Sequence, residues 1–257
     1  MPKVVVIKEI ISNLLGGIIS FYYIVFKSII RNQIEYMCGR FALSAITSDV
    51  EKLQAGLTSK IEIKPRFNIA PSLQIAAISN ISPNEIRPLR WGLIPHWADD
   101  PGIGYKMINA RSETIESKPS FKIPFRQKRC LIFATGFYEW KKSEDKKSKT
   151  PYYFHLLNDN IFTFAGLWSY WEKGDKQISS ATIITTNAND IVKPIHDRMP
   201  VIIRRENWQE WLSNETGIID LKNLLHPFPS DEMDAYEVSQ AVNNPRNDFP
   251  ELIEKAG

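Results

Sequence analysis

Short apolar runs, separated by Pro, Gly and Asn, dominate the middle of the chain. Most are four to eight residues long and rich in β-branched or aromatic side chains, which is typical of strands rather than helices. The predicted strands are Gln74–Ser79, Arg87–Leu93, Arg129–Ala134, Phe137–Lys141, Tyr152–Leu157, Ile161–Leu167 and Ala181–Thr186. The lysine-rich segment Lys141–Thr150 joins two of them and is predicted to be a solvated hairpin loop.

Helical patterns are fewer. Ser48–Leu57 begins with a plausible N-cap, Ser48, and carries Glu51 at the capping-box position. Arg205–Asn214 and Ile218–Leu225 are the other predicted helices. Because strands and helices do not alternate regularly, the pattern predicts one α+β domain dominated by short, largely antiparallel strands.

The first 36 residues have a different character and are interpreted as an apolar N-terminal extension of a domain that spans 37–257. Ile11–Phe26 contains no charged residue, but it is shorter than the ~20 apolar residues of a spanning helix. No small-x-small cleavage site follows it. Three alternatives remain for 1–36: a translated upstream reading frame, a membrane or signal segment, and a helix packed on the domain.

Net charge and cysteine content limit which partners and which cellular compartment the sequence favours. The whole chain has a formal net charge of +3, and without the extension the domain is close to neutral, so any case for a polyanionic partner must be local. Two cysteines, Cys38 and Cys130, favour a reducing cytoplasm over a disulfide framework. Neither CxxC nor clustered Cys/His spacing occurs, so no metal or other cofactor is implied.

The dipeptide Met37-Cys38 is the first candidate for chemistry. If Met37 initiates translation and is removed, Cys38 carries a free α-amine beside its thiol. Such an aminothiol condenses with an aldehyde to a Schiff base, and its thiolate then closes a thiazolidine ring. Because an α-amine titrates near pH ~8 and a thiol near ~8.5, both groups are partly reactive at neutral pH.

Three polar residues occur in contexts that suggest proton transfer or orientation. Glu139 lies in an aromatic run, where two-residue alternation places it on one face with Phe137 and sets Tyr138 and Trp140 on the other. Desolvation there is expected to raise its pKa. His196 follows a predicted strand and is a natural acid or base at neutral pH. Asn109 precedes an Ala-Arg-Ser-Glu sequence.

Each of these residues also has an ordinary structural interpretation. Glu139 can pair with a surface lysine, His196 can bond to Asp197, and Asn109 can cap a turn. Cys130 is predicted to be a buried core thiol, either of Trp91 and Trp97 can be a core residue, and the cluster Arg126–Arg129 is predicted to be a solvated face.

Six motifs in a fixed order favour the functional interpretation of these residues over the ordinary structural one. They are Met-Cys-Gly-Arg-Phe at 37–41, Pro-Arg-Phe-Asn-Ile-Ala-Pro at 65–71, Arg-Trp-Gly-Leu-Ile-Pro-His-Trp at 90–97, Asn-Ala-Arg-Ser-Glu-Thr at 109–114, Gly-Phe-Tyr-Glu-Trp at 136–140 and His-Asp-Arg-Met-Pro at 196–200. Over 37–257 the chain resembles the SOS-response-associated peptidase (SRAP) family, whose members protect abasic sites in single-stranded DNA by covalent capture. The resemblance implies a curved or barrel-like sheet with a few flanking helices.

The resemblance also implies roles for single residues. Cys38 would be the nucleophile that forms the thiazolidine, Asn109 would orient it and the opened sugar, Glu139 would act on the amine, and His196 would help open the deoxyribose ring. DNA phosphates would be held by Arg40, Arg111 and Arg198, with Pro71 and Thr185 lining the same cleft and Trp97 stacking on a base. A stacking side chain and phosphate contacts suit a single strand that is bound without sequence preference.

These implications describe a cytoplasmic, nucleoid-associated monomer whose partner is single-stranded DNA containing abasic sites, with β-elimination (lyase) and self-processing peptidase activities as further possibilities. Two hypotheses compete with it. One is a cysteine hydrolase with Cys38 as nucleophile and His196 as base, which needs only a thiolate. The other is a non-catalytic binder of single-stranded DNA that uses the arginines and Trp97 alone.

Overall fold

The computed structural model describes residues 39–143 and 148–257. The expectations for the extension 1–36, for Met37 and for Cys38 therefore concern residues outside this range. The described residues contain fourteen strands, which are β1 Arg40–Leu43, β2 Thr58–Ser59, β3 Arg66–Ile69, β4 Gln74–Ser79, β5 Ser82–Trp91, β6 Asn109–Arg111, β7 Arg129–Ala134, β8 Gly136–Lys142, β9 Lys149–Leu156, β10 Phe162–Lys173, β11 Lys176–Asn187, β12 Arg198–Pro200, β13 Ile202–Ile203 and β14 Met233–Glu237.

Helices are short in the same part of the chain. The α-helices are α1 Thr47–Glu51, α2 Pro119–Gln127, α3 Trp208–Leu212 and α4 Ile218–Asn223. The 3₁₀ turns are Pro101–Lys106, Ser112–Thr114, Arg205–Asn207, Ser230–Glu232, Gln240–Asn243 and Pro250–Ile253.

The larger of two sheets closes on itself. Strands β11, β10, β7, β4 and β5 pair in that order and antiparallel, and β5 returns to β11 through a parallel pairing of Arg90 with Ser180 and Trp91 with Ala181. Strands β2, β6, β12 and β13 attach to this ring. The α+β class and the barrel-like sheet are thus confirmed.

The second sheet has the order β14-β9-β8-β1-β3 and is antiparallel throughout. Its inner face packs on the ring through aromatic side chains. The Phe41 ring centroid lies 5.2 Å from that of Trp91 and 5.6 Å from that of Phe164, and Phe137 lies 6.2 Å from Phe164. Burying each such ring contributes roughly 1.5–3 kcal/mol, so these contacts fix the first strand of the domain against the barrel.

Alternation along β8 follows the sequence prediction. Phe137 belongs to the core between the sheets, whereas Tyr138 and Trp140 pack on the outer face with residues of the C-terminal segment, such as Val242 and Leu252. Because side chains of a strand alternate between its two faces, Glu139 shares the inner face with Phe137.

Several boundaries differ from those predicted. Helix α1 covers five residues and starts from Ile46 as its N-cap, with Asp49 rather than Glu51 bonding back to the N-cap nitrogen. The Glu51 carboxylate instead accepts from the backbone N–H of Ser59 at 2.7 Å. The predicted helix Arg205–Asn214 is a 3₁₀ turn followed by α3, and α2 was not predicted.

The interpretation of Arg126–Arg129 as a solvated face is wrong for Arg129, which is fully buried. Its guanidinium donates to the carbonyl oxygens of Phe125, Arg126, Trp211 and Ser213 at 2.6–2.9 Å. These carbonyls belong to the C-terminal ends of α2 and α3, where a cation is favoured. Burial lowers the pKa of Arg129. Cys130 is a buried thiol, as predicted.

Candidate functional site

Glu139 is a buried carboxylate, with 2% of its surface exposed. The desolvation that the sequence predicted for this side chain is therefore present. Strand β8 lies between β9 and β1, and Arg40 of β1 stands opposite Tyr138. Because this pairing is antiparallel, the next position in the register sets Gly39 against Glu139. The start of the described domain thus leads to the buried carboxylate.

Asn109 and Arg111 lie on the short strand β6, which pairs parallel with β11. Ala110, between them, is fully buried, so the alternation of the strand turns Asn109 and Arg111 to its other face. The carbonyl oxygen of Ile108 fixes the start of β6 by accepting from the Trp91 indole N–H at 2.9 Å and from the Ile183 backbone N–H at 3.0 Å. Arg111 is exposed, and Asn109 is half-buried.

Trp91 connects this strand to the second sheet. Its ring contacts Phe41 of β1, and its indole nitrogen bonds the residue before Asn109. The buried Trp91 therefore holds β1, which begins just after Gly39, near β6, which carries Asn109 and Arg111. Gly92 follows it with φ of +119°, and a Cβ there would lie 2.5 Å from the Gly104 oxygen. Only glycine fits this close approach.

His196 precedes β12 and is mostly buried, with 17% of its side chain exposed. Its Nδ1 accepts from the backbone N–H of Arg198 at 3.1 Å, and a carboxylate oxygen of Asp197 lies 3.2 Å from the same nitrogen. An accepting Nδ1 carries no proton, so the neutral ring is protonated on Nε2. Donation from Nδ1 to Asp197, the ordinary alternative for this residue, would need a proton on Nδ1 and would exclude the bond from the Arg198 N–H.

Arg198 is buried, with 7% exposed. Its guanidinium pairs with both carboxylate oxygens of Glu113 at 2.5 and 2.9 Å. It also donates to the Thr185 carbonyl at 2.7 Å and to the Asn187 side chain at 3.2 Å. The hydrogen bond from Arg198 holds the pKa of Glu113 below its usual value. Sequence reasoning assigned no role to Glu113, although it stands in the same motif as Asn109 and Arg111.

Arg40 is held differently. One of its guanidinium nitrogens donates to the Asn68 amide oxygen at 2.7 Å and to the Val242 carbonyl at 2.9 Å. Among the described residues it forms no ion pair, and desolvation lowers its pKa. Asn68, which is fully buried, also donates to the carbonyls of Val242, Asn244 and Asn247. Its place in the motif at 65–71 was the signal that could have identified it.

The remaining predicted DNA-contact residues differ in exposure. Trp97 is 53% exposed and Trp91 is buried, so the two tryptophans of one motif face opposite environments. The residue after Trp97, Ala98, is buried and accepts from the Trp171 indole N–H at 2.7 Å, which anchors the exposed ring. Pro71 is half-buried, and Thr185 is fully buried on β11 beside Arg111.

The structure thus joins the predicted residues into two groups. Arg111, Thr185 and Arg198 lie on three adjacent strands, β6, β11 and β12. Arg40 and Glu139 lie on the adjacent strands β1 and β8 of the other sheet, where the alternation of the strands sets them on opposite faces. Cys38 is outside the described residues. Within the described ranges no group of three or more His, Cys, Asp or Glu side chains could hold a metal ion, and no helix is long and apolar enough to cross a membrane.

Comparison with known proteins identifies relatives that match most of this chain. The chain is 47% identical over 224 residues to the abasic site processing protein YoqW of Bacillus subtilis, which covers 85% of this chain and 99% of that protein. It is 30% identical over 227 residues to the abasic site processing protein YedK of Escherichia coli, covering 85% of this chain and 99% of that one.

A solved structure and a family model extend the comparison. A crystal structure of a protein from Bacteroides thetaiotaomicron superposes with a TM-score of 0.78 at 28% identity, covering 85% of this chain and all of that one. The model of the SOS response associated peptidase (SRAP) family matches residues 37–245. The chain belongs to the SRAP family.

Proposed function

We propose that this protein processes abasic sites in DNA by capturing the ring-opened sugar of a single-stranded abasic site as a thiazolidine on Cys38. The names of its relatives motivate the substrate. The buried carboxylate of Glu139, next in register to Gly39, is the observation that carries the mechanism. Cys38 is bonded to the nitrogen of Gly39, so it directly precedes the residue that stands opposite Glu139 in the register.

The chemistry requires Met37 to be absent. The free amine of Cys38 adds to the sugar aldehyde, and loss of water gives an imine. The thiol then adds across the C=N bond: sulfur bonds to carbon and its proton passes to nitrogen, which closes the ring. Glu139 accepts and returns the protons of these steps, as a desolvated carboxylate can near neutral pH.

His196 and Asn109 complete the proposed machinery. His196, with its proton on Nε2, donates to the ring oxygen of the sugar and so helps to open the aldehyde form. Asn109 orients the Cys38 amine and the opened sugar. Its position on β6, fixed through Ile108, keeps the amide in one place during the reaction.

Phosphate and base contacts are proposed for the exposed or uncompensated groups around these residues. Arg40 and Arg111 bind phosphates directly, and Trp97 stacks on a base beside the lesion. Pro71 lines the cleft, and Thr185, which is fully buried, supports it through its carbonyl bond from Arg198. Arg198 reaches a phosphate only after its pairing with Glu113 changes. The proposed machinery comes from one chain, and we propose that the protein acts as a monomer.

Protein that begins at Cys38 tests this function. Mixed with a single-stranded oligonucleotide that contains an abasic site, it should give a heat-stable adduct of reduced gel mobility. Cys38→Ala and protein with an acetylated Cys38 amine should give none. Equal adduct yield from Cys38→Ala would rule the mechanism out.

A second candidate follows from the family's description as a peptidase. In that case Cys38 attacks a peptide carbonyl with His196 as base, and only the thiolate is needed. Amine acetylation separates the two functions, because it blocks the thiazolidine and spares a hydrolase. A β-elimination from the imine would add strand cleavage, which a denaturing gel of the labelled oligonucleotide detects.

A further inference from the structure

The pairing of Arg198 with Glu113 is unusual for a cation expected to bind DNA. Both nitrogens at the end of the guanidinium are engaged by one carboxylate, and their remaining bonds go to Thr185 and Asn187. Carboxylates and phosphates accept from a guanidinium in the same two-bond geometry. Glu113 thus occupies the position that a phosphate would take.

Exposure distinguishes the two partners. The side chain of Arg198 is 8% exposed, whereas that of Glu113 is 45% exposed. The Thr185 carbonyl belongs to the backbone of β11 and cannot leave without disrupting that strand, whereas the Asn187 amide oxygen belongs to an exposed, uncharged side chain at the end of β11. Among the residues that the structure describes, Glu113 is therefore the one charged partner of Arg198, and rotation of its exposed side chain can release the guanidinium.

We propose that Glu113 competes with DNA phosphate for Arg198 and thereby sets the selectivity of the site. This inference rests on the proposed function and deepens it. An incoming phosphate displaces the carboxylate, and the displaced charge remains near the strand. Because the phosphate must displace the Glu113 carboxylate, the non-covalent affinity for any single strand is lower. An undamaged strand therefore dissociates, whereas an abasic strand is retained by its covalent bond to Cys38.

Glu113→Gln tests the competition. The amide keeps the size of the side chain and removes its charge, so Arg198 becomes available to phosphate. Binding to an undamaged single-stranded oligonucleotide, followed by fluorescence anisotropy, should tighten roughly three- to ten-fold. The slope of log K against log salt should steepen by about 0.7, because one more protein charge is matched by a phosphate.

Glu116→Gln is the matched control. Glu116 is three residues away and pairs with Lys222 at 3.0 Å, not with Arg198. Removing its charge should change the affinity less than about two-fold, since exposed charges are largely screened. If Glu113→Gln binds no more tightly than the wild type or than Glu116→Gln, the competition is refuted.

A second measurement uses the wild-type protein and does not depend on how Glu113→Gln folds. The Arg198 Nε–H signal in a nitrogen–proton correlation spectrum, assigned with Arg198→Lys, should shift when the undamaged oligonucleotide is added. An unchanged signal at saturation overturns the inference.

The outcomes separate this inference from the proposed function. A tighter complex of Glu113→Gln combined with no adduct on abasic DNA would refute only the thiazolidine. Normal adducts with equal affinities would refute only the competition. If neither protein binds single-stranded DNA, both the DNA cleft and the competition are refuted.

Discussion

Two arginines of the same family pattern are held in opposite ways by the two sheets. On β1, Arg40 is fixed by neutral acceptors, the Asn68 amide and the Val242 carbonyl. On β12, Arg198 is fixed by the Glu113 carboxylate. Neutral acceptors orient a guanidinium and leave its charge available, whereas a carboxylate orients and neutralises it.

The comparison explains how a domain of nearly zero net charge can attract DNA at one place. Arg40 and the exposed Arg111 contribute positive charge without an ion pair among the described residues. Arg198 ties β12 to β11 through its bond to the Thr185 carbonyl, and its pairing with Glu113 leaves little net charge there. Two arginines thus have different partners, neutral acceptors for Arg40 and a carboxylate for Arg198, which their sequence motifs alone do not distinguish.

The largest expected effect concerns the buried carboxylate of Glu139, on the strand β8 that pairs with the strand of Arg40. Glu139→Gln keeps the shape of the side chain but cannot shuttle protons, so the single-turnover rate of adduct formation should fall about 100-fold. Glu172→Gln, at an exposed position of β10, is the control and should react at the wild-type rate. A Glu139→Gln rate within about two-fold of the wild type would remove Glu139 from the mechanism.

The Arg40 side should also depend on Asn68 for its stability. Asn68→Ala leaves the Arg40 guanidinium and several backbone carbonyls without a buried partner, so the free energy of unfolding should fall by about 2–4 kcal/mol. Urea unfolding measures this loss, and Asn160→Ala, at an exposed position, should change the free energy by less than about 0.5 kcal/mol. A small loss for Asn68→Ala would mean that Arg40 is oriented by other contacts.

How far the sequence predicts the fold is visible in individual elements. The bounds of β4 and β7 coincide with the predicted strands, because their local apolar patterns are unbroken. The burial of Glu139 also followed from a local rule, the alternation along β8. The parallel pairing of Trp91 with Ala181, which closes the barrel, joins residues far apart in sequence, and no local pattern encodes it.

The site shows the same division. The motifs identified Arg40, Arg198 and Asn109 as candidates, but not their partners. Whether an arginine meets a carboxylate or a carbonyl is decided by tertiary packing. Arg129 makes the point most strongly: a run of basic residues suggests a solvated surface, yet helix-terminal carbonyls accept its bonds in the core.

Charge availability predicts a difference in DNA binding between the two arginines. Arg40→Gln should weaken binding to an undamaged single strand about five- to ten-fold and reduce the salt slope by about 0.7, because one direct phosphate contact is lost. Arg198→Gln in a Glu113→Gln background should change the slope equally, since the charge of Arg198 is uncompensated there. In the presence of Glu113 the effect of Arg198→Gln should be smaller. Equal effects in both backgrounds would contradict the distinction between the two arginines.

The smallest expected effect is the pH dependence of the Arg198 side. Because the pKa of Glu113 is below its ordinary value of 4.5 in the folded protein, the ion pair contributes stability above that pH and loses it as the pH falls. Exposure of Glu113 reduces this contribution to about 0.5 kcal/mol. The unfolding free energy of the wild type should therefore exceed that of Glu113→Gln near pH 7, and the two should converge as the pH falls below the lowered pKa of Glu113, where a protonated Glu113 resembles glutamine. A difference that stays constant over this range would show that the amide perturbs packing rather than charge. The charge of Arg198 would then be no more neutralised by its partners than the charge of Arg40.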